Sequence, residues 1–300
     1  MTVLEQIEAS ALRLTQAGVA FGHGTANAFD EAAWLVLWQL GLPLDCALDG
    51  PHSVADQAVT AAQQAQCEAL VHTRISQRQP AAYLTREAWL QGVAFYVDER
   101  AIVPRSFIAE LLVNGSIDYW LSTATERVLD LCTGNGSLAV LAAMVYPDVV
   151  VDASDISADA LAVARINVDN HGLQQRITLH CEDGLHKLRG PYDLMLCNPP
   201  YVNSQSMAAL PAEYQAEPAL ALAGGSDGMD FIRGLLHDAP ARLSMHGVLV
   251  LEIGNEREHF ETAFPGLQAI WLETSAGEEQ VLVLTREALM KTHKALVTGH

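Results

Sequence analysis

A short apolar stretch that ends in two prolines carries the residues of this sequence best suited to chemistry. Residues 193–197 have the length and composition of a buried strand, and Pro199 and Pro200 end it because proline cannot donate to a β-ladder. A residue that precedes proline is restricted to extended geometry, so Asn198 and Pro199 are both held extended. We therefore expect a rigid loop at the carboxyl end of a strand, which is where ligands bind in open α/β sheets.

The groups on this loop suit a planar substrate that carries an NH2 group. The side-chain oxygen of Asn198 and the carbonyl oxygen of Pro199 can each accept one N–H, and the ring of Tyr201 can stack on the substrate plane. We predict that Asn198, Pro199 and Tyr201 are catalytic, and that Pro200 joins them in binding substrate.

A glycine loop provides a second constellation. Gly134 and Gly136 follow an apolar strand at 128–131 and precede an apolar helix that runs to about residue 145. Asp155 ends the next strand about twenty residues later, the layout that holds an adenosine group because glycines allow close backbone approach and the acid binds ribose hydroxyls. Alone, the pattern fits nicotinamide dehydrogenases as well as enzymes that use S-adenosylmethionine.

The acid at the end of the loop's own strand favours S-adenosylmethionine. Asp130 could pair with the ammonium of an amino acid, whereas it would repel a pyrophosphate. The predicted cofactor-binding residues are Asp130, Cys132, Thr133, Gly134, Asn135, Gly136, Asp155, Ile156, Asp183, Gly184 and Asn198.

Composition limits the partners. The 300 residues carry a formal charge of −19, and the three lysines, Lys187, Lys291 and Lys294, form no basic cluster. Binding along a nucleic-acid backbone needs such a cluster, so we expect no sequence-specific nucleic-acid binding and instead a basic protein partner. The sequence lacks a membrane-length apolar run and a signal pattern at its start, which makes the cytoplasm the expected location. The five cysteines form no C-x-x-C pair, so we expect free thiols and no metal.

The order of the elements predicts the architecture. Residues 1–82 are expected to be a helical domain, with helices near 4–14, 29–40 and 54–75, and residues 83–104 a β-hairpin linker with further β-formers at 101–103. From 105 to 300, strands at 128–131, 149–155, 177–180, 193–197 and 248–253 alternate with helices, including 106–113, 158–170 and 229–243. A pair of strands at 269–272 and 280–284 follows, so we predict a doubly wound, mostly parallel sheet.

Several stretches resemble known enzymes. Residues 130–136, 155–157 and 198–201 resemble the S-adenosylmethionine-dependent methyltransferases that act on exocyclic or amide nitrogen. Residues 103–106 and 217–228 resemble the HemK-type protein glutamine methyltransferases, and residues 21–25 and 96–100 resemble the PrmB branch of that family. The resemblance covers nearly the whole chain.

The resemblance implies a Rossmann-like, seven-stranded class I methyltransferase fold and an N-terminal domain that recognises substrate. It also implies methylation of a glutamine side-chain nitrogen in a ribosomal large-subunit protein. Gly184 departs from some relatives, which have a tryptophan beside the adenine at that position, and we expect another residue such as Leu185 to pack there.

Three alternatives remain open on sequence alone. An adenine methyltransferase acting on DNA or RNA would use the same Asn-Pro-Pro-Tyr turn for a flipped base, although the charge of −19 opposes it. A ribosome assembly factor would bind ribosomal protein and keep a cofactor-binding fold without catalysing a reaction. A nicotinamide dehydrogenase would need hydride-transfer residues that the sequence does not display.

Overall fold

The computed structural model describes residues 1–291. Lys294 and the rest of the stretch 292–300, which belong to the predicted domain 105–300, lie outside the described residues. The order along the chain is a helical part, a β-hairpin and an α/β part. None of the helices formed by residues 1–291 has the length and apolar character that a membrane crossing would need.

The N-terminal part is helical, as predicted. Its helices are α1 (Val3–Gln16), α2 (Ala28–Leu40), α3 (Ala61–Gln77) and α4 (Ala81–Thr85). They enclose a core of their own, with Ile7, Leu14 and Val36 fully buried. The predicted start of the third helix near residue 54 is wrong, because the Thr60 hydroxyl accepts the N–H of Gln63 and starts α3 there.

The β-hairpin is also confirmed. Strands β1 (Ala88–Leu90) and β2 (Val93–Phe95) pair antiparallel through Gln91 and Gly92, which both have positive φ angles, as a tight two-residue hairpin turn requires. The further β-structure expected at 101–103 is absent from the described structure. Instead, the N–H of Val103 donates to the side chain of Glu217 at 2.9 Å.

The α/β part contains a seven-stranded sheet in the order β5-β4-β3-β6-β7-β9-β8. Its strands are β3 (Arg127–Leu131), β4 (Val150–Asp155), β5 (Ile177–Cys181), β6 (Tyr192–Cys197), β7 (Leu243–Glu252), β8 (Ile270–Thr274) and β9 (Gly277–Thr285). Strands β3 to β7 are parallel, and β9 is antiparallel to both β7 and β8. The predicted doubly wound sheet is confirmed.

Helices cover both faces of the sheet. They are α5 (Ile108–Val113), α6 (Ser137–Val145), α7 (Ala158–Asn170), α10 (Asp230–Asp238) and α11 (Arg257–Ala263). Two short helices, α8 (Ser204–Ala209) and α9 (Ala212–Gln215), lie in the segment between β6 and α10. One core contains Leu194, Leu196 and the apolar face of α6, and the other contains Met195, Cys197 and α10. Because alternate residues of β6 enter opposite cores, the strand is buried on both faces and its end is fixed.

Two predicted boundaries in this part are wrong. The helix expected over 229–243 ends at Asp238 and continues as a short 3-10 helix that contains Pro240, since proline lacks the N–H that an α-helix needs. Strand β7 starts at Leu243, five positions before the expected 248, because Leu243 already pairs with Tyr192.

A buried carboxyl group joins the end of β7 to the start of α5. Glu252 Oε2 accepts the Ser106 hydroxyl at 2.5 Å and the N–H of Phe107 at 2.9 Å. Burial raises the pKa of Glu252 from 4.5 to about 7, although these hydrogen bonds act in the opposite direction.

Glu252→Gln should change how stability depends on pH. The folded protein holds the Glu252 proton more tightly than the unfolded chain, so this group costs stability progressively as pH rises from about 4.5 to 7. Relative to the variant, the wild type should lose on the order of 3 kcal/mol over that range and then level off. Urea unfolding at several pH values measures the difference, with the exposed Glu8→Gln as control. If the free energy of unfolding depended on pH in the same way in the wild type and in Glu252→Gln, the raised pKa given to Glu252 would be contradicted.

Candidate active site

Asn198 follows β6 at the centre of the sheet. Strand β6 lies between β3 and β7, and the strand order reverses beside it, because β3 to β5 extend one way and β6 to β8 the other. Such a reversal opens a crevice at the carboxyl ends of the strands. Asn198 and the following diproline therefore lie at the position where this fold binds ligands.

The larger cavity in this crevice has a volume of about 230 Å³. Seven of the predicted cofactor residues line it: Cys132, Gly134, Asp155, Ile156, Asp183, Gly184 and Asn198. Residues that were not predicted to bind the cofactor contribute apolar surface, among them Ile102, Leu220, Ala221 and Phe231. Their types carry no chemical signal, and only the fold brings them to the crevice.

Asp155 connects the glycine loop to helix α7. Its Oδ2 accepts the N–H of Gly134 at 2.9 Å, and its Oδ1 accepts the N–H of Ser157 at 2.9 Å. Burial raises the pKa of Asp155, and these N–H donors oppose the change. Each carboxylate oxygen keeps a second lone pair, so Asp155 can still accept hydroxyl groups of a ligand in the cavity.

Four predicted cofactor residues do not line the cavity: Asp130, Thr133, Asn135 and Gly136. Asp130 is fully buried, and its Oδ2 accepts the Thr133 hydroxyl and the N–H of Ala139, the latter at 3.0 Å. Burial raises the pKa of Asp130 to about 7. Within residues 1–291, Oδ1 of Asp130 has no hydrogen-bond partner.

Two more buried polar atoms near the glycine loop also lack partners in the described structure. They are Nδ2 of Asn135 and the hydroxyl of Ser154, which lines the larger cavity. Buried polar atoms are normally hydrogen-bonded, so the Ser154 hydroxyl is available to a polar ligand in the cavity.

Leu185, expected beside an adenine, does not line the cavity. Its side chain is 2% exposed and packs in the core on the α10 face of the sheet. The expectation is therefore wrong, because the Leu185 side chain turns into the core. Gly184 itself has φ +60° and nothing within 4 Å of where a Cβ would lie, so the backbone is open there. Ile156 and Phe231 are apolar residues that do line the cavity.

A smaller cavity of about 130 Å³ adjoins the diproline. Predicted substrate residues Asn198, Pro199 and Tyr201 line it, together with Arg105 and Tyr214, while Pro200 lines the larger cavity. Asn198 lines both cavities and so stands between them. In the described part of the chain its side-chain amide has no hydrogen-bond partner, which leaves it free to bind a ligand.

Close packing holds the tyrosine after the diproline. A Cβ on Gly254 would lie 2.6 Å from the Tyr201 ring, and one on Gly228 would lie 2.2 Å from the Tyr201 carbonyl oxygen. Burial raises the pKa of Tyr201 well above its usual value, so the phenol stays neutral. The residue can therefore offer a ring face but no phenolate base.

Cysteines beside Asn198 offer no nucleophile. Contact with the Cys197 thiol and burial raise the pKa of Cys132 well above its usual value. A protonated thiol is a poor nucleophile, so covalent catalysis through Cys132 does not fit this site.

Arg105 and Glu217 form an ion pair beside the smaller cavity. The guanidinium donates twice, from NH1 to Oε1 and from NH2 to Oε2, each at 2.6 Å. Both residues belong to stretches that resemble the HemK-type enzymes, but their partnership could not be predicted, since 112 positions separate them. Arg105, which directly follows the linker, thereby joins the start of the α/β part to the loop that follows the diproline.

Comparison with known proteins identifies the family. The family model described as "Methyltransferase small domain" matches residues 112–213. The ribosomal protein uL3 glutamine methyltransferase of Bordetella pertussis is 52% identical, and the match covers 96% of each chain. The enzyme of the same name from Neisseria gonorrhoeae is 46% identical and also covers 96% of each chain. The chain belongs to the ribosomal protein uL3 glutamine methyltransferases.

Membership of the uL3 glutamine methyltransferases confirms the resemblance stated from sequence, and it makes the chain a methyltransferase. This membership favours a methyltransferase over the two alternatives of a dehydrogenase and a non-catalytic assembly factor. Structural comparison agrees on the fold. The catalytic domain of hMettl16 in complex with MAT2A 3′UTR hairpin 1 aligns with a TM-score of 0.52 at 14% identity, over 84% of this chain and 89% of that chain.

Gly228→Ala should displace the diproline corner. The new methyl group would collide with the Tyr201 carbonyl oxygen, and φ of +79° is unfavourable for alanine. We expect a loss of stability of about 2 kcal/mol or more and a methyl-transfer activity reduced at least tenfold. Thermal unfolding and activity assays measure both.

The matched control is Gly234→Ala on the exposed side of α10. Nothing lies within 4 Å of a Cβ there, so alanine should stabilise the helix by about 0.5–1 kcal/mol and leave activity unchanged. If Gly228→Ala behaved like this control, close packing at Tyr201 would not hold the corner.

Proposed function

We propose that this protein transfers a methyl group from S-adenosylmethionine to the side-chain amide nitrogen of a glutamine in ribosomal protein uL3. The observation that supports it most is the position of Asn198, which lines both the larger cavity and the smaller one. The Asn198 carboxamide, which has no partner of its own among the described residues, stands between the two cavities. It can therefore orient a substrate amide in the smaller cavity toward a cofactor held in the larger one.

The residues around the larger cavity fit S-adenosylmethionine. Asp155 would accept the ribose hydroxyls, and Ile156 and Phe231 would pack against the adenine beside the open backbone of Gly184. Asp130 does not line the cavity, and its carboxylate, whose Oδ1 is unpartnered in the described chain, would attract the ammonium of the amino-acid end by its charge. When bound, the cofactor supplies a methyl group on a sulfonium, which is open to attack by a nucleophile.

The smaller cavity would hold the glutamine side chain. An amide nitrogen is a weak nucleophile because its lone pair is delocalised into the carbonyl, so catalysis depends on alignment. Asn198 Oδ1 and the carbonyl of Pro199 would each accept one N–H, which turns the lone pair away from them and stabilises positive charge as it develops. Tyr201 would pack on the amide plane, and the released proton would pass to water.

The charge of the protein supports a basic protein partner. The chain carries −19, and its arginines 74, 78, 100, 105, 127 and 233 are engaged in ion pairs with its own carboxylates. The acid excess therefore remains on the surface, where it would attract a positively charged ribosomal protein and repel nucleic-acid phosphates. A ribosomal substrate would place the enzyme in the cytoplasm.

Purified protein, S-adenosylmethionine with a labelled methyl group and isolated uL3 test the proposal directly. We expect label on one glutamine of uL3, located by tandem mass spectrometry, and none on adenine-containing DNA or RNA. Label on nucleic acid but not on uL3 would favour the adenine methyltransferase, and no label on any of them would contradict the proposed function.

Asn198→Ala should remove the alignment of the substrate amide without preventing S-adenosylmethionine from binding in the larger cavity. We expect turnover to fall by about 10²–10³-fold, because the variant lacks an acceptor that acts in the transition state. Affinity for S-adenosylmethionine, measured by calorimetry, should stay within about threefold, since other residues line most of that cavity. Turnover close to that of the wild type would exclude the role given to Asn198.

Asp155→Ala should show the opposite pattern. Loss of the carboxylate removes the ribose acceptor and the hydrogen bond to Gly134, so the dissociation constant for S-adenosylmethionine should rise at least tenfold. Asp169→Ala removes the same charge at the far end of helix α7 and serves as the control. Equal affinities for the two variants would remove Asp155 from the cofactor site.

A further inference from the structure

The N-terminal helices contact the catalytic part through buried charges. The contact lies on residues 212–217, which include α9 and are called the α9 turn below. Glu213 Oε1 accepts NH1 of Arg74 and NH1 of Arg78, each at 3.1 Å. Arg74 is fully buried and also donates from Nε to Glu31 at 2.8 Å. The α9 turn is thereby fixed to helices α2 and α3.

His23 makes a second contact with the same turn. It comes from the stretch 21–25, and its side chain is completely buried. The imidazole stacks on Tyr214, with ring centroids 4.2 Å apart and planes tilted by 49°. Its Nε2 lies 3.3 Å from Oε2 of Glu217, although neither ring nitrogen has a well-aligned hydrogen bond within residues 1–291.

Glu217 connects His23 to Arg105, which lines the smaller cavity. Its carboxylate binds the guanidinium of Arg105 twice and accepts the N–H of Val103. Although burial acts in the opposite direction, His23 and Arg105 lower the pKa of Glu217 to about 2, so the group stays charged at working pH. Arg105 and Tyr214 both line the cavity that also contains Asn198.

We propose that His23 is a positioning residue, which fixes Glu217 and Tyr214 and through them the Arg105 wall of the smaller cavity. The N-terminal part would thus shape the pocket as well as recognise substrate. That this pocket receives glutamine rests on the proposed function, whereas the connection from His23 to Arg105 rests on the contacts alone.

Packing by itself does not account for a histidine at this position. An apolar ring would fill the same space against Tyr214 and would not leave two polar nitrogens buried without aligned partners. The feature that such a ring lacks is a polar Nε2 atom 3.3 Å from Oε2 of Glu217. A pair of variants can therefore separate shape from hydrogen bonding.

His23→Phe keeps the ring and removes the N–H, and His23→Gln restores a donor without the ring. We expect His23→Phe to lower kcat for uL3 methylation by about 10- to 100-fold, because a small displacement of the pocket wall spoils alignment. His23→Gln should recover kcat to within about fivefold of the wild type, because its amide can donate to Glu217. The dissociation constant for S-adenosylmethionine should stay within about twofold in both, since His23 does not line the larger cavity.

Hydrogen exchange gives a readout that does not depend on activity. In His23→Phe, amides of 103–106 and 212–222 should exchange at least tenfold faster than in the wild type, while those of 127–155 stay unchanged. Tyr146→Phe, which removes a hydroxyl contact with Asp118 far from the α9 turn, should change neither exchange nor turnover. If His23→Phe does not fold, Glu217→Gln tests the same connection and should give the same pattern.

Two results would overturn the inference. One is a His23→Phe enzyme with kcat within threefold of the wild type and unchanged exchange at 103–106. The other is an equal loss in His23→Phe and His23→Gln that parallels a fall in Tm, which would indicate packing alone. If the wild type itself does not methylate uL3, the proposed function fails, and the exchange measurement alone decides the role of His23.

Discussion

The fixed geometry of the diproline corner is the constraint on which the site depends. Two successive prolines leave the carbonyl of Pro199 and the backbone of Asn198 little freedom, and β6 is paired on both sides, to β3 and to β7. Glycines at 228 and 254 let the neighbouring segments pack directly on Tyr201. The Pro199 carbonyl and the backbone that carries the Asn198 side chain are therefore held in place before a substrate arrives, which is what the proposed alignment of a substrate amide requires.

The buried carboxyl groups of this acidic protein fall into two kinds, those with few counter-charges and those paired with arginine. Some carboxyl groups, such as Asp130 and Glu252, are buried with few counter-charges, and burial raises the pKa of each to about 7. Others bind the scarce arginines, as Glu217 binds Arg105 and Glu213 binds Arg74. These pairs join the N-terminal helices, the linker and the loop after the diproline, so the arginines stabilise the internal joints and leave the surface acidic.

Features that depend on nearby residues could be predicted from the sequence. The bounds of α7 agree with the predicted 158–170, because Ser157 caps the helix and Gly172 follows it. The Asn-Pro-Pro-Tyr corner and the glycine loop were placed correctly at the ends of β6 and β3 for the same reason. Features that depend on distant contacts were missed. Leu185 turns into the core, and Val103 binds Glu217 instead of a neighbouring strand. His23 contacts Tyr214 and Glu217, which lie far along the chain from it.

A crystal structure of the protein with S-adenosylhomocysteine and a glutamine-containing peptide of uL3 is the most direct test of the central claim. We expect the glutamine carboxamide to lie in the smaller cavity, with its nitrogen about 2.8–3.2 Å from both Asn198 Oδ1 and the Pro199 carbonyl oxygen and directed toward the cofactor sulfur. A carboxamide bound elsewhere, or a diproline corner turned away from the sulfur, would contradict it.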